Sequence, residues 1–164
     1  MTKPDYQLLY PRQIVLITSF GRYNGTEKDN ISTIAWSMPT SFAPELIAIS
    51  MNNASLTCEL IEETGEFVVN IPSFDMKDKV LLCGTKTGVD IDKFKEAGFT
   101  PISAEKVAPK LIKECLANIE CSVVDSIKTG DHTLFIGKII GSRRNNENTG
   151  KVLVDLGGRN FVGL

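Results

Sequence analysis

The residue best placed to do chemistry in this chain is its one histidine, His132. It lies in the segment from Gly130 to Gly137, whose letters are GDHTLFIG. An apolar, β-favouring run with a glycine at each end predicts a hairpin turn that enters a strand. Such a turn would hold a side chain whose ordinary pKa lies near neutrality at a strand mouth, where ligands reach it. Two interpretations stay open: an imidazole that faces a ligand, or a turn residue that bonds to neighbouring backbone.

A second signal lies near residue 50, where a strand-like stretch, 46–51, runs into a polar turn and then a helical segment that Gly65 ends. Ser55 or Asn53 is a suitable N-cap for that helix. The first turn of a helix leaves backbone N–H groups unpaired and carries partial positive charge, so this arrangement predicts an anion site. Hydroxyls around it come from Ser50, Ser55 and Thr57. The alternative is that these residues only cap a surface helix.

Composition restricts the class of protein. With 164 residues the chain predicts a single domain, 1–164, with a substantial core. Its net charge of -2 and the lack of a basic stripe argue against a nucleic-acid partner. No apolar run approaches the length of about 18 residues that a membrane span needs, and Met1–Tyr6 leads into nothing that resembles a signal peptide. We therefore expect a cytoplasmic protein without a membrane partner.

The sequence carries no recognisable catalytic or metal-binding motif. Its four cysteines form no Cys-x-x-Cys pair, and one histidine cannot complete the usual zinc sets, so no metal site is expected. There is no glycine-rich dinucleotide or phosphate loop and no nucleophile elbow. We expect the cysteines to be reduced, non-catalytic and mostly buried as small hydrophobes: Cys58, Cys83, Cys115 and Cys121.

Short strands dominate the predicted elements. Strands are expected over 13–20, 31–38, 46–51, 66–71, 119–127, 133–140, 151–156 and 160–162. Helices are expected after Ser55, after Ser73 and over 91–97, with a polar hairpin loop at 21–30 and an irregular stretch at 84–109. Because the strands do not alternate with long helices, the pattern favours a mainly β fold, a closed or partly closed antiparallel barrel.

Several segments, taken together and in order, resemble the flavin reductase-like FMN-binding proteins, whose fold is the FMN-binding split barrel. The ordered set covers nearly the whole chain and is specific, although each piece alone is a weak signal. The resembling segments are 10–18, 33–44, 50–57, 64–70, 83–94, 130–132 and 157–161. The chain departs from the family pattern at three positions, with Ala35 in place of a serine, Glu45 in place of a second proline and Val89 in place of an arginine.

This resemblance implies a fold and a site. It implies a Greek-key antiparallel barrel that forms a homodimer, with FMN bound near the subunit interface. The implied flavin contacts are Thr33, Ile34, Ala35 and Trp36 alongside the isoalloxazine, Ser50, Met51, Asn52, Asn53, Ser55 and Thr57 around the ribityl chain and phosphate, and Phe161 as an aromatic contact. Lys86 or Lys93 would add positive charge. His132 would lie near the flavin as the catalytic side chain, where a nicotinamide also stacks.

The resemblance also implies an activity. It favours an FMN-dependent oxidoreductase of the flavin reductase type that takes electrons from NADH or NADPH and passes them to free flavin, ferric iron or a redox partner. Because the flavin itself accepts the hydride, the protein need contribute no acid or base, which agrees with the missing catalytic motif. Two alternatives stay open: an electron-transfer flavoprotein that does not use a nicotinamide directly, and a non-enzymatic barrel that binds another phosphate-bearing ligand. The stretch 84–109 is expected to cover the neighbouring subunit or the cofactor, the alternative being a solvated loop.

Overall fold

The structure, a computed structural model, describes residues 4–164, so the first three residues of the N-terminal segment considered above lie outside it. The strands are β1 (Arg12–Gln13), β2 (Val15–Tyr23), β3 (Thr26–Ile34), β4 (Ser37–Phe42), β5 (Glu45–Asn52), β6 (Glu66–Ile71), β7 (Pro101–Ile102), β8 (Leu111–Ile112), β9 (Ala117–Thr129), β10 (His132–Arg144), β11 (Leu153–Asp155) and β12 (Phe161–Gly163). The helices are α1 (Leu56–Thr64), α2 (Lys77–Thr85) and α3 (Lys93–Ala97), with 3-10 turns at Asp5–Leu9 and Phe74–Met76. Within the described residues, no helix has both the length and the apolar character needed to cross a membrane.

One seven-stranded antiparallel sheet forms the body of the fold. Its strand order is β3-β2-β6-β9-β10-β5-β4, so its two edge strands, β3 and β4, follow one another in the sequence. Only Ala35 and Trp36 lie between them, and such a linker spans at most about 11 Å from the last Cα of β3 to the first of β4. The sheet must therefore curl until its edges approach each other at this end. The predicted mainly β, antiparallel barrel architecture is confirmed.

Alternating residues of β2 contribute to two separate cores, because successive side chains of a strand point to opposite faces. The cluster inside the barrel includes Val15, Ile17, Phe67, Phe135 and the α1 residue Ile61. The cluster on the outer face includes Leu16, Ile31, the α2 residue Val80 and the α3 residue Phe94. Both α1 and α2 contact β3. This strand therefore lies between the two helical parts of the fold, and the candidate site forms along it.

The hairpin predicted at 21–30 is confirmed, but the loop is shorter than expected. β2 and β3 continue to Tyr23 and Thr26, and a two-residue turn joins them, in which Asn24 and Gly25 have φ values of 50° and 78°. Positive φ at both central positions gives the turn whose twist matches two antiparallel strands, and Asn-Gly is its sequence signal. Most of this stretch is polar because the hairpin is exposed, not because the chain lacks regular structure.

Other element boundaries also differ from the prediction. The strand expected over 31–38 is interrupted at Ala35 and Trp36, because the chain leaves its pairing with β2 and begins to pair with β5. The strands expected over 119–127 and 133–140 are longer, since β9 and β10 pair with each other along their full lengths. Ser73 makes no side-chain cap; its hydroxyl instead accepts a hydrogen bond from Asn148.

The middle of the stretch 84–109 packs on the barrel, whereas 84–87 at its start are exposed. Phe94, Ala97 and Phe99 are buried in the outer cluster together with residues of α2. Gly98 ends α3 in the left-handed conformation, with φ of 62°, as its position in the sequence predicts. The first part of the stretch borders the cleft described next.

Candidate functional site

A cleft of about 460 Å³ lies where β3, the end of β5, the start of α1 and the loop after α2 meet. The residues that line the cleft are distant in the sequence, and the curling of the sheet brings them together. Nine of the predicted site residues are among them: Thr33, Ile34, Ser50, Met51, Asn52, Ser55, Lys86, Lys93 and His132. The fold therefore assembles most of the predicted site in a single cavity.

One end of the cleft suits an anion. Ser55 is the N-cap of α1, and its hydroxyl oxygen accepts a 3.1 Å hydrogen bond from the N–H of Cys58. The N–H groups that precede Cys58 in this turn have no partner within the helix, and the helix dipole makes this end positive. Lys86, which is exposed, adds a cation at the rim. The strand–turn–helix anion site predicted from the sequence thus has the expected local structure.

Asn53 ties two turns together beside the cleft and does not line it. Its side-chain amide donates to the carbonyl of Gly130 at 3.3 Å and accepts a 2.8 Å hydrogen bond from the hydroxyl of Thr133. Its backbone N–H donates to the carbonyl of Asp131 at 2.9 Å. The turn before α1 and the turn before β10 therefore hold each other in place, which fixes the position of His132 relative to the anion end.

The imidazole of His132 lines the cleft and is held from two sides. Its Nδ1 lies 2.6 Å from Oδ1 of Asp131, and its ring packs on Trp36 with centroids 5.0 Å apart. The hydrogen bond and the charge of His132 lower the pKa of Asp131, so this carboxylate stays ionised at neutral pH. With Nδ1 engaged, Nε2 is the ring nitrogen left for a ligand. The ring borders the cleft, as the first interpretation requires, whereas Nδ1 bonds to the side chain of Asp131 and not to neighbouring backbone, as the second supposed.

We use the term polar floor for Asn30, Ser32 and Lys93, which line the inner part of the cleft. Lys93 is only 4% exposed, and its ammonium donates hydrogen bonds of 2.7 Å to the carbonyls of Ile31 and Cys83. Burial lowers the pKa of this ammonium. Lys93 therefore differs in kind from Lys86, since one cation is buried and the other is exposed at the rim.

Thr57 lies beneath the polar floor, outside the cleft. It is fully buried, and its hydroxyl accepts a 2.8 Å hydrogen bond from Nδ2 of Asn30 and lies 2.6 Å from Oγ of Ser32. The expectation that this hydroxyl meets the phosphate is therefore wrong, because the packing of α1 against β3 turns it towards the strand. Oδ1 of Asn30, by contrast, is buried without a hydrogen-bond partner in residues 4–164.

Two smaller cavities adjoin the cleft and hold the remaining predicted residues. Ala35 and Phe161 line a cavity of about 330 Å³ that shares Thr33 and Ile34 with the cleft. Trp36 lines another of about 310 Å³, which shares Ser50 with the cleft. Three predicted residues thus lie in cavities next to the cleft and do not line it: Ala35, Trp36 and Phe161.

Sequence reasoning missed the residues that complete the cleft: Asn30, Ser32, Ala54, Leu56, Cys83, Gly84, Thr85, Thr87, Gly88 and Val89. A signal existed for the first two, because residues 30, 32 and 34 of a strand share one face and Ile34 was predicted. The loop after α2 has no such periodicity. Gly88 is required there, since a Cβ atom would collide with the amide of Asn30.

The cysteines are buried and free, with no sign of an activated thiol. Burial raises the pKa of Cys83 to about 11 and that of Cys121 to about 12. Among the residues that the structure describes, no three histidine, cysteine or acidic side chains cluster in a way that could hold a metal ion.

Comparison with a family model shows which family the chain belongs to. The model of the flavin reductase like domain matches residues 7–162. The chain belongs to the flavin reductase-like family. A protein of Archaeoglobus fulgidus described as uncharacterized is 40% identical over 134 residues, which is 82% of this chain and 73% of that protein. The NADH flavin reductase of Kitasatospora aureofaciens is 29% identical over 101 residues, 61% of this chain and 50% of the reductase.

A solved structure of the same family agrees with the fold. Flavoredoxin of Desulfovibrio vulgaris (Miyazaki F) superimposes with a TM-score of 0.87 and 26% identity, covering 100% of this chain and 93% of flavoredoxin. These comparisons confirm the flavin reductase-like family and its split-barrel fold, both of which were predicted from the sequence.

Proposed function

We propose that this chain binds FMN in the cleft and acts as a flavin-dependent oxidoreductase, taking electrons from NADH or NADPH and passing them to an acceptor. Membership of the flavin reductase-like family supports flavin-associated electron transfer and FMN as the cofactor. The observation that carries the proposal is the composition of the cleft. Within about 460 Å³ it combines an anion-binding end, a buried polar floor and an edge strand beside His132.

The residues present fit FMN. A phosphate dianion suits the first turn of α1 and Lys86, because unpaired N–H groups, the helix dipole and a cation all favour it. In the described part of the chain β3 pairs on one side only, with β2. Backbone groups on its other edge, around Thr33 and Ile34, are therefore available to the polar rim of the isoalloxazine. Oδ1 of Asn30 is a buried acceptor without a partner in the described residues, and it lies against Gly88 in the wall of the cleft.

The protein's own contribution is to bind the flavin, to orient it and to tune its reduction potential. When bound, FMN would supply the electron-accepting chemistry, so no acid–base pair is needed. His132 is the side chain proposed to act beside the flavin, because it borders the cleft with its orientation fixed by Asp131 and Trp36. Of the two lysines that line the cleft, Lys86 is proposed to meet the phosphate, since its side chain is exposed and that of Lys93 is buried.

Two candidate functions differ in the source of the electrons that reduce the flavin. The NADH flavin reductase of Kitasatospora aureofaciens supports a nicotinamide donor by its likeness to this chain. The likeness to flavoredoxin, which extends over the whole of this chain, supports the second candidate, an FMN-binding electron-transfer protein that does not use a nicotinamide directly. Both candidates need the same cleft and the same FMN contacts.

We also propose that the protein is a homodimer. Apolar side chains stay exposed on the outer face of the barrel beside Trp36, namely Tyr6, Leu9 and Met38, at 47%, 64% and 59%. They surround the cavity of about 310 Å³ that adjoins the cleft. A contiguous exposed apolar patch of this kind is typical of an interaction surface, and a second copy of the chain would cover it next to the cofactor.

An anaerobic titration of the purified protein tests the proposed function. We expect the protein, incubated with FMN and freed of excess by gel filtration, to be yellow. We expect NADH or NADPH to bleach its flavin absorbance on mixing, and air or an added acceptor to restore it. A yellow protein that neither nucleotide bleaches would favour the electron-transfer candidate. A colourless protein would overturn FMN binding and leave a barrel for another phosphate-bearing ligand.

A further inference from the structure

We propose that the end of the barrel opposite the cleft holds a second binding site, for a small ligand with an apolar body and one anionic head group of the carboxylate type. A cavity of about 680 Å³ lies there, lined by the start of β5, the start of β9, the end of β10 and the loop 145–149. We use the term lower mouth for this cavity. It shares no lining residue with the cleft. The inference goes beyond the proposed function and does not depend on the binding of FMN.

The strand pairing places the lower mouth at the far end of the barrel. β5 and β10 pair from Asn52 and His132, which line the cleft, to Leu46 and Lys138. Glu45, which precedes this pairing, lines the lower mouth. β10 continues past the pairing with β5, and in the described part of the chain only β9 pairs with it there. The sheet therefore leaves an opening between the start of β5 and the end of β10.

Apolar side chains from the inside of the barrel form the wall of the lower mouth. Ile119 and Ile139 line it and also pack against the inner cluster. The mouth of a β-barrel is a frequent place for a small-molecule site, because a concave apolar wall there can cover most of a ligand. The half-buried apolar residues of this wall are Ile71, Leu116, Ala117, Ile119, Ile139 and Val152.

The charged residues at the lower mouth favour a monoanion. Arg143 and Arg144 line it, are exposed, and form no ion pair within residues 4–164. Arg144 is paired with Ala117 of β9, so its side chain lies on the same face as those of Ala117 and Ile119, the inner face. A guanidinium binds a carboxylate through two parallel N–H donors. Glu45, the one acidic residue among the described lining residues, leaves a single net positive charge, which disfavours a polyphosphate.

The loop after β10 gives the lower mouth a fixed rim. The backbone N–H of Asn145 donates to the carbonyl of Leu116 at 2.9 Å, and its side-chain amide donates to the carbonyl of Lys113 at 3.0 Å. The side-chain amide of Asn148 donates to the carbonyl of Glu114 at 2.8 Å. Because these bonds already hold the loop, a ligand need not order it, which lowers the entropic cost of binding.

Calorimetric titrations with octanoate and octanamide test the inference on the full chain. The two probes have the same alkyl chain, and only octanoate carries a charge at neutral pH. Each probe is titrated into the FMN-loaded protein and into the apoprotein. Arg144→Met removes a guanidinium, and Ala117→Trp fills the lower mouth. Arg22→Met is the control, since Arg22 is an exposed arginine of β2 that does not line the lower mouth.

We expect octanoate to bind the wild-type protein at one site per chain, about tenfold more tightly than octanamide, with the same Kd in the presence and absence of FMN. Arg144→Met should weaken octanoate about tenfold and leave octanamide unchanged, because it removes a hydrogen bond between charged groups. Ala117→Trp should abolish the binding of both probes, and Arg22→Met should change neither. Thermal melts show that each variant is folded, and Arg144→Met carries the comparison if Ala117→Trp does not fold.

Three kinds of result would overturn the inference. The first is the absence of saturable octanoate binding, or octanamide binding of equal strength. The second is octanoate binding that FMN displaces, or that neither Arg144→Met nor Ala117→Trp weakens, because the octanoate then binds elsewhere. The third is a dimer that Ala117→Trp converts to a monomer in sedimentation, because a second copy of the chain then covers the lower mouth. A protein that does not bind FMN would contradict the proposed function alone, since the apoprotein still reports on the lower mouth.

Discussion

Nδ1 of His132 lies 2.6 Å from Oδ1 of Asp131, the residue before it in the sequence. The side chain of Asp131 is 85% exposed and that of His132 is 21% exposed. The carboxylate therefore holds the imidazole from the solvent side, while Trp36 supports the ring. A carboxylate partner on one nitrogen fixes the orientation of an imidazole and leaves the other nitrogen to a ligand. The hydrogen bond to Asp131 thus holds the imidazole of His132 in an orientation in which Nε2 is free to contact a ligand in the cleft.

We expect His132→Ala to lower the midpoint potential of the bound FMN and to slow its reduction by the nicotinamide. Because Nδ1–H of His132 donates to Asp131, Nε2 donates to the flavin when the imidazole is protonated; this bond is stronger when the flavin carries the added negative charge, so its loss destabilises the reduced form. The expected shift is on the order of 30 mV, which is about 1.4 kcal/mol for a two-electron couple. An anaerobic redox titration measures the potential, and stopped-flow mixing measures the rate.

Asp131→Asn is the matched variant for this prediction, because it keeps the ring of His132 on Trp36 and weakens only the bond at Nδ1. It should give a smaller shift in the same direction. If His132→Ala kept the wild-type potential, FMN affinity and reduction rate and lost only thermal stability, His132 would be a structural turn residue.

Thr57→Val should lower the free energy of unfolding of the apoprotein by about 1–3 kcal/mol. Valine keeps the shape of threonine, but it removes the hydroxyl that Asn30 and Ser32 use, so buried polar groups lose their partner. Urea denaturation measures the change. Thr64→Val, on the last turn of α1, is the control, since that hydroxyl donates only to the carbonyl of Leu60 within the helix. Equal stabilities of the two variants would contradict the buried role of Thr57.

The sequence predicts the fold better than it predicts whether each site residue is buried or faces the cleft. Ser55 and Gly65 mark the ends of α1 because a cap and a left-handed glycine are local requirements. Whether a hydroxyl of the first turn faces a ligand or the core depends on what α1 packs against. The sequence does not show that β3 passes behind Thr57. Nothing in the sequence distinguishes the environments of Lys86 and Lys93. The path of the loop after α2 leaves Lys86 exposed and buries Lys93.

The thiols of the native protein should not react with an alkylating reagent at neutral pH. All four cysteines are buried, and burial raises the pKa of each, to about 11 for Cys83, so the reactive thiolate is scarce as well as inaccessible. Mass spectrometry after treatment with iodoacetamide should show no adduct on the native chain and four on the urea-unfolded chain. Rapid labelling of Cys83 in the native state would show that the loop after α2 moves and uncovers this thiol.

The last prediction concerns the apolar face beside Trp36. At micromolar concentration the wild-type protein should sediment as a dimer, and Met38→Glu should shift it to the monomer. A charge at an exposed position of β4 costs little in an isolated barrel, whereas it is expensive once a second copy covers it. Leu164→Glu is the control, because Leu164 is also exposed but lies beside the three-stranded sheet of β1, β11 and β12. A wild-type protein that sediments as a monomer with FMN bound would contradict the dimer. Dimers for both variants would place the interface on another face of the barrel.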